Sequence, residues 1–408
     1  MRHLLSVVLL ALPLAAWAQA DPIHTLTEAE AVRLGLTRTE LSDLARGSVE
    51  AAEADALAAG LLPNPTLGYS RDRNRGTPGA TEDTWQIAQT FDVSGRRGLR
   101  REAADRRVDA ANAGNTLRRS EIAAEIRHRF HETLFKQESV RATQIWTQRF
   151  IRVERLVEKL AKAGEASGYD RRRLTRERQT AQARLSTEQA DLDRAAERLA
   201  ALIGLPGKAA ASVSGVLPPT APLPLDKALS RLEQRPDLQV LSRRAEAAGL
   251  EGRAASRGWV PDVTLGAGPK HTDNGITREN GMLVTVSIPL PVFDRQQAGE
   301  KRARAEALNA RAEYSLARSR AEGDLRGLHR QVERLTTAAS GYRTHAVAES
   351  SELLRIAETA YQGGESTLLE LLDAYRGALE AEITALNLEW KAREASIEYD
   401  LLTGSVTE

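Results

Sequence analysis

"LLPNPTLGYS" (Leu61–Ser70) and "WVPDVTLGAG" (Trp259–Gly268) carry nearly the same phrase about 198 residues apart. Pro63 corresponds to Pro261, Thr66 to Thr264, Leu67 to Leu265 and Gly68 to Gly266. The phrase is β-like, yet the chain around it is dominated by Ala, Leu, Arg and Glu, with 4% aromatic and 28% charged residues among 408. Such a mixture favours long helices that bury narrow apolar stripes. A fold mainly α, with a small β part stated twice, is the first expectation.

Proline marks the layout. None occurs between Pro78 and Pro206, and none after Pro291. Because proline breaks helix interiors, both tracts can hold very long helices. Ile122, Ile126, Phe130 and Leu134, then Val153, Leu156, Val157 and Leu160, keep a helical rhythm from about Arg96 to Ala161. "AGEASGYD" (Ala163–Asp170) interrupts, and a return helix runs from about Tyr169 to Leu202. The second half repeats the plan: helix from about Arg295 to Tyr361, an interruption at "GGESTLLE" (Gly363–Glu370), and a return through about Leu401. Gly164 and Glu165 correspond to Gly364 and Glu365. Ser167-x-x-Asp170 and Thr367-x-x-Glu370 both fit a capping box after a glycine stop. Two such pairs at one offset imply an internal duplication. The expected units are residues 1–20 as a signal peptide, 21–204 as a first repeat, 205–225 as a proline-rich connector and 226–408 as a second repeat.

The β phrases extend into hairpins. Leu67 and Tyr69 lead through the polar stretch "RDRNRGTPGATED" to Trp85, Ile87 and Phe91; Val263, Leu265 and Ala267 lead through a polar loop ending at Asn280-Gly281 to Met282, Val284, Val286 and Ile288. Period-two patterning of this length suits strands with one apolar and one polar face. The scarce aromatics Trp85, Phe91, Trp259 and Phe293 sit near the expected strand ends, where a membrane-interface girdle would lie. Four strands cannot close a barrel, since the smallest outer-membrane barrels use about eight. An open sheet in lipid would leave unsatisfied edges. The chain must therefore share its barrel with copies of itself, and helices of roughly 65 residues would reach on the order of 100 Å below it. A soluble antiparallel sheet is the plainer reading of the same alternation.

The termini and composition narrow the classes further. Arg2 and His3, the apolar run Leu4–Ala16 and Ala18-Gln19-Ala20 make a secretory signal with cleavage expected after Ala20. No cysteine is present, which excludes disulfides, thiolate ligands and lipidation on an N-terminal cysteine. Net charge is +1, giving no global pull toward nucleic acid, and the arginine runs Arg96–Arg101 and Arg171–Arg173 are interleaved with or followed by acids. No Ser-His-Asp spacing or phosphate loop appears, so neither an enzyme nor a cofactor is expected. "HRFH" (His128–His131), near Glu125 and Glu132, has chelate-like spacing. It lies mid-helix among arginines, however, and the bland reading of satisfied helix histidines is preferred.

With these residues in hand, the chain resembles the TolC-type outer-membrane efflux proteins. The resemblance rests on the duplicated "PNPTLG" and "PDVTLG" hairpins, "RPDL" (Arg235–Leu238) and "AYQGGESTLLELLDA" (Ala360–Ala374), and covers essentially the whole mature chain. "QTFDVSGRRGLR" (Gln89–Arg100) further resembles the CzcC-like heavy-metal cation branch. The resemblance implies a homotrimer whose protomers each give four strands to a twelve-stranded β-barrel and helices to a periplasmic α-barrel. It also implies localisation to the outer membrane of a Gram-negative cell. The partners implied are a periplasmic adaptor, an inner-membrane RND-type pump and outer-membrane lipid. It places the two Gly-rich turns at the periplasmic tip, where Asp170, Tyr361, Gly364, Glu370 and Asp373 match gate positions. Ser366 stands where the family pattern has arginine, and Arg171, Arg172 and Arg173 are candidate substitutes. The alternative for these acids is a solvated helix start favoured by the dipole. The alternative for the whole chain is a periplasmic coiled-coil adaptor that never enters a membrane.

Overall fold

The computed structural model describes residues 25–76, 79–162, 167–210 and 212–404. The signal segment and the Gly164-Glu165 pair named above lie outside these residues. Strand β1 (Leu26–Thr27) leads into helices α1 (Glu28–Leu36) and α2 (Thr39–Gly60), then strands β2 (Thr66–Asn74) and β3 (Ala80–Phe91). Helix α3 (Arg96–Lys162) follows without interruption for 67 residues and turns back as α4 (Gly168–Leu202). At about 1.5 Å per residue α3 is roughly 100 Å long. The connector contributes strand β4 (Val213–Ser214), helix α5 (Leu225–Ser230) and a short 3-10 turn. The order then repeats as α6 (Pro236–Ser256), β5 (Val263–Asp273), β6 (Arg278–Ser287), α7 (Gln297–Tyr342), α8 (Ala348–Gln362) and α9 (Leu368–Thr403). The succession helix, two strands, long helix, return helix thus occurs twice.

The expected helix from Arg295 to Tyr361 is not uniform. Arg343–Val347 forms a π turn between α7 and α8. Arg343 lies in that turn and its guanidinium bonds both carboxylate oxygens of Glu389 (2.8 and 3.0 Å) and Glu382 (2.5 Å) on α9. The π turn therefore coincides with a charge clasp that holds α7–α8 to α9.

Both return helices start as the capping-box pattern requires. Ser167 Oγ accepts the Asp170 amide and Thr367 Oγ1 the Glu370 amide, while the two carboxylates accept the Ser167 and Thr367 amides in return. Gly364 adopts φ +76°, the left-handed conformation that ends α8. Below the sheet, Phe150, Val157, Leu174, Leu371 and Leu372 are fully or almost fully buried where α3, α4 and α9 meet. A second core joins Ile126 and Phe130 of α3 to Leu199, Leu26 and Val213.

The connector is more structured than its prolines suggest. β4 pairs in parallel with β1, so the chain's beginning and its middle are stitched together. Arg393 of α9 donates to the carbonyls of Val216, Leu217 and Pro218 at 2.6–2.9 Å, and Tyr399 Oη donates to the Leu223 carbonyl at 2.7 Å. A carbonyl-rich proline segment offers acceptors without matching donors, and buried side chains of α9 supply them.

Candidate functional site

The four long strands form one antiparallel sheet in the order β2-β3-β5-β6, so the two hairpins meet through β3 and β5. Two stretches read from sequence as loops are strand. β2 continues through Asn74, and β6 starts at Arg278, with Asn280-Gly281 inside it rather than at the turn. The turn falls at Asn274–Thr277, where Gly275 takes φ +78° and Asn274 Oδ1 accepts the amides of Ile276 and Thr277. The polarity of these stretches marks a change of environment along the strands, and the backbone pairing runs straight through it.

Register sorts the side chains into two faces. Leu67, Ile87, Ala267 and Val284 are cross-strand partners on one face, and Tyr69 faces Trp85, Gln89 faces Leu265, and Leu265 faces Val286 on the same side. These apolar side chains are open to the surroundings: Ile87 is 60% exposed, Leu67 68% and Val284 71%. The other face carries Thr66, Gly68, Ser70, Thr84, Gln86, Thr90, Thr264, Gly266, Gly268 and Thr285. Here Thr84 is buried, Thr90 and Thr264 hydroxyls share a 2.8 Å bond, and the Gln86 amide bonds Thr285. A Cβ at Gly266 would collide with the Gln86 side chain, and one at Gly268 with the Trp85 carbonyl. The hydroxyl face is therefore concave, and its glycines permit the close approach that curvature requires. An apolar convex face and a hydroxyl-lined concave face are what a membrane barrel needs outside and inside. β2 and β6 are the edges, each with one side unpaired among the described residues.

At the far end of the molecule lie the starts of the two return helices, α4 and α9. Asp170 and Glu370 are engaged in the capping boxes, Asp170 Oδ2 also accepting the Ser167 hydroxyl at 2.7 Å. Tyr361 packs half-buried against the adjoining core; burial, then the charge of Asp170, pushes its phenol above the usual range. The structure thus brings Tyr361 and Asp170, from different repeats, into electrostatic contact. Arg171, Arg172 and Asp373 are exposed, with no side-chain partner among the described residues. Arg173 is half-buried, and its Nε lacks a hydrogen-bond partner.

The stronger link between the repeats uses residues that sequence reasoning passed over. Glu177, only 4% exposed, bonds Arg376 of α9 at 2.5 Å and Arg176 at 2.8 Å. Burial alone would raise its carboxyl, but Arg376 and Arg176 outweigh that and hold it below the usual range. Tyr375 Oη donates to Glu358 at 2.7 Å, tying α9 to α8. The signal was legible: Leu174, Glu177 and Ala181 share one buried stripe of α4, and an acid in such a stripe requires a partner.

Known proteins match this arrangement. The family model described as outer membrane efflux protein matches residues 229–405. The cobalt-zinc-cadmium resistance protein CzcC of Cupriavidus metallidurans is 26% identical over 361 residues, covering 87% of this chain and 84% of that protein. The pyoverdine export outer membrane protein OpmQ of Pseudomonas putida is 24% identical, covering 94% and 88%. The crystal structure of the outer membrane protein VceC from Vibrio cholerae superposes with a TM-score of 0.77 at 21% identity, covering 92% of this chain and 96% of that one.

Over residues 229–405 the chain is similar to the outer membrane efflux protein family. The fold is that of the solved outer membrane channels. Among the described residues no helix is long and apolar enough to cross a membrane.

The four aromatics expected at a girdle take two levels. Phe91 ends β3, Trp259 precedes β5 and Phe293 follows β6, all exposed at the helix-side margin of the convex face. Trp85 differs from its expected place at a strand end: it lies inside β3, because β3 begins at Ala80. There its ring packs 4.8 Å from that of Tyr69, whose hydroxyl donates to Asp83 at 2.7 Å. Tyr69 and Trp85 thus mark the row where the convex face turns from apolar to charged.

The histidine pair separates. His128 Nε2 lies 3.1 Å from Glu394, whereas His131, buried, lies 3.0 Å from Glu28 through its own Nε2. The two rings address different carboxylates, and no group of three or more His, Cys, Asp or Glu among the described residues could hold a metal. Glu28 also accepts from Arg127 at 2.5 Å, and Arg127 reaches Asp400 at 3.1 Å. Burial would raise the Glu28 carboxyl, but the bonds from His131 and Arg127 prevail and hold it at about 2. Burial pushes the His131 ring below its ordinary value against the pull of Glu28. HRFH is a structural lock between α1, α3 and α9.

Proposed function

We propose that this protein works as the passive exit duct of a tripartite system, as a homotrimer with a twelve-stranded barrel in the outer membrane. The observation that carries this is the open sheet: four strands, two unpaired edges and an exposed apolar convex face. In lipid each unpaired backbone group costs several kcal/mol. Joining β6 of one protomer to β2 of the next removes both edges, and three chains close the ring. Helices of about 100 Å then carry the lumen into the periplasm, where an adaptor and an RND-type pump would meet the tip.

Divalent metal cations are the proposed cargo. The heavy-metal resistance relative and the stretch Gln89–Arg100 support this, while the pyoverdine exporter at similar identity is the competing class. The tip is proposed to be the gate, with Asp170, Tyr361, Gly364, Glu370, Asp373 and Arg171–Arg173 at its mouth and the Glu177–Arg376 bond behind them. Individual exposed ion pairs contribute only about 0–1 kcal/mol, so a gate of several remains openable by a docking partner. Residues 1–20 are proposed as a cleaved secretory signal, with residues 21–204 and 226–408 as two repeats about a connector at 205–225.

Fractionation tests the reading. Heat-modifiable trimers are expected in the outer membrane, together with loss of cobalt, zinc or cadmium tolerance on deletion. Recovery as a soluble periplasmic monomer would favour an adaptor-like role, and loss of pyoverdine export alone would reassign the cargo.

A further inference from the structure

Distal to the Tyr69–Trp85 row, the two faces of the sheet carry opposite charge. The next two rows of the convex face contain Arg71, Asp83, His271 and Asn280, then Arg73, Thr81, Asp273 and Arg278. On the concave face at the same level, Asp72, Glu82, Thr272 and Glu279 are successive cross-strand partners, with Lys270 bonded to Glu82 at 2.6 Å. The outer rows hold three arginines and two aspartates, a formal +1, and the inner face three carboxylates and Lys270, a formal −2. A merely solvated strand end has no reason to sort its charges by face.

The arginines are also prepared for a ligand. Asp83 takes Nε and one terminal nitrogen of Arg71 at 2.6 and 2.7 Å, and Asp273 takes Nε of Arg278 at 2.9 Å. Both guanidinium groups are thereby oriented with N–H donors left free. Arg73 has no intramolecular partner among the described residues and is exposed. The three line one recess of about 550 Å3 together with His271, Asn280 and the carboxylates Asp83, Asp273 and Glu279, the last reaching its rim from the other face. Successive rows on one face are about 7 Å apart along a strand, so these side chains begin just beyond the aromatic row. That is the depth of the headgroup layer, some 5–8 Å thick on each side of the hydrocarbon. Guanidinium groups match phosphate with two-point geometry, and charge-assisted bonds of this kind are the strong ones.

We propose that Arg71, Arg73 and Arg278 form a binding site for the phosphate of a phosphorylated glycolipid of the outer leaflet, of the lipid A type, on the lipid-facing side of the barrel. The apolar convex face continues below the arginines and would receive the acyl chains of the same molecule, which a free phosphate would not use. The two aspartates hold Arg71 and Arg278 in place and leave Arg73 as the arginine with no partner among the described residues. The proposal rests on the barrel reading above, because only there does the convex face meet lipid.

The test uses the full-length trimer in detergent, titrated with bisphosphorylated lipid A, dephosphorylated lipid A, phosphatidylglycerol or inorganic phosphate, with bound species counted by native mass spectrometry. Bisphosphorylated lipid A is expected to be retained most. Arg73→Gln is expected to reduce retention roughly tenfold, the scale of one lost charge-assisted bond, and Arg71→Gln with Arg278→Gln to reduce it further. Arg73 bonds nothing among the described residues, so its variant tests binding without disturbing the fold. Equal retention of dephosphorylated lipid A, or undiminished retention by Arg73→Gln in an intact trimer, would overturn the site and leave the channel reading standing. Full displacement by inorganic phosphate would overturn the lipid assignment. A protein that forms no membrane trimer would remove both.

Discussion

Replacing Val284 by arginine separates a lipid-facing sheet from a wetted one. Val284 is 71% exposed, pairs with Ala267 in β5, and lies in the same row as Ile87 and Leu67, one row on the helix side of Trp85 and Met282. One further row, with Leu265 and Val286, lies between it and the Phe91 row, so it sits inside the band. In water, an arginine at so open a position would change stability by within about 0.5 kcal/mol. At a barrel's midplane it costs about 2–4 kcal/mol. Three copies per ring raise that to on the order of 6–12 kcal/mol, enough to deplete assembled trimer. Ser70→Arg is the control: it occupies the concave face of the neighbouring strand pair, opposite Thr84, where an aqueous lumen would solvate it. Both changes introduce the same side chain into a strand, so β-propensity largely cancels between them. The assay is the yield of heat-modifiable trimer in outer-membrane fractions, with the far-ultraviolet helical signal of the extracted protein as a fold check. Val284→Arg is expected to lose most of its trimer while Ser70→Arg keeps it. Equal yields would refute the assignment of the convex face to lipid, and with it the argument for a shared barrel.

Three further outcomes are expected. Glu177→Ala cuts the bond from α4 to Arg376 of α9; Arg376 is half exposed and becomes hydrated, so the stability cost is about 1 kcal/mol, and bilayer conductance of the trimer should rise, while unchanged conductance would move the gate away from this bond. Acid should weaken the lock around HRFH. The Glu28 carboxyl ionises at about 2 in the fold against 4.5 in its absence, so the unfolded chain binds more protons between those values. Its stabilisation, up to about 3 kcal/mol before allowance for solvent screening, is full above pH 4.5 and lost as pH falls through about 2. His131, with a lowered folded value, favours the fold above pH 6.5 and loses that contribution on acidification. Thermal melts from pH 7 to 3 should show falling stability, and Glu28→Gln should flatten the acid limb. Gly364→Ala meets no atom within 4 Å but forces a Cβ onto φ +76°; a loss of about 1 kcal/mol confined to the α8–α9 turn is expected, readable as faster local hydrogen exchange.

The helical plan was legible because it is local. Proline placement, i, i+4 stripes and two capping boxes act within a turn or two of chain, and α3, α4 and α9 begin and end within about two residues of where those signals put them. The repeated β phrase likewise announced two hairpins, and strand arithmetic required partners. Strand extent was misjudged at Arg71–Asn74 and Arg278–Gly281, because polarity there reports which medium surrounds the strand rather than whether it pairs. The gate candidates are partly local too: Asp170 and Glu370 are cap residues by spacing alone.

What the chain's order of residues could not supply was which distant groups meet. The pairing of β1 with β4, the reach of Arg376 to Glu177, and the division of His128 and His131 between Glu394 and Glu28 join residues about 100 to 270 positions apart. Such contacts depend on how helices rotate and stack, which no periodicity encodes. The opposite charge of the two faces beyond Trp85 arises in the same way. Alternation fixes which side chains share a face within one strand, but only the register between strands leaves the outer rows net positive and the inner face net negative.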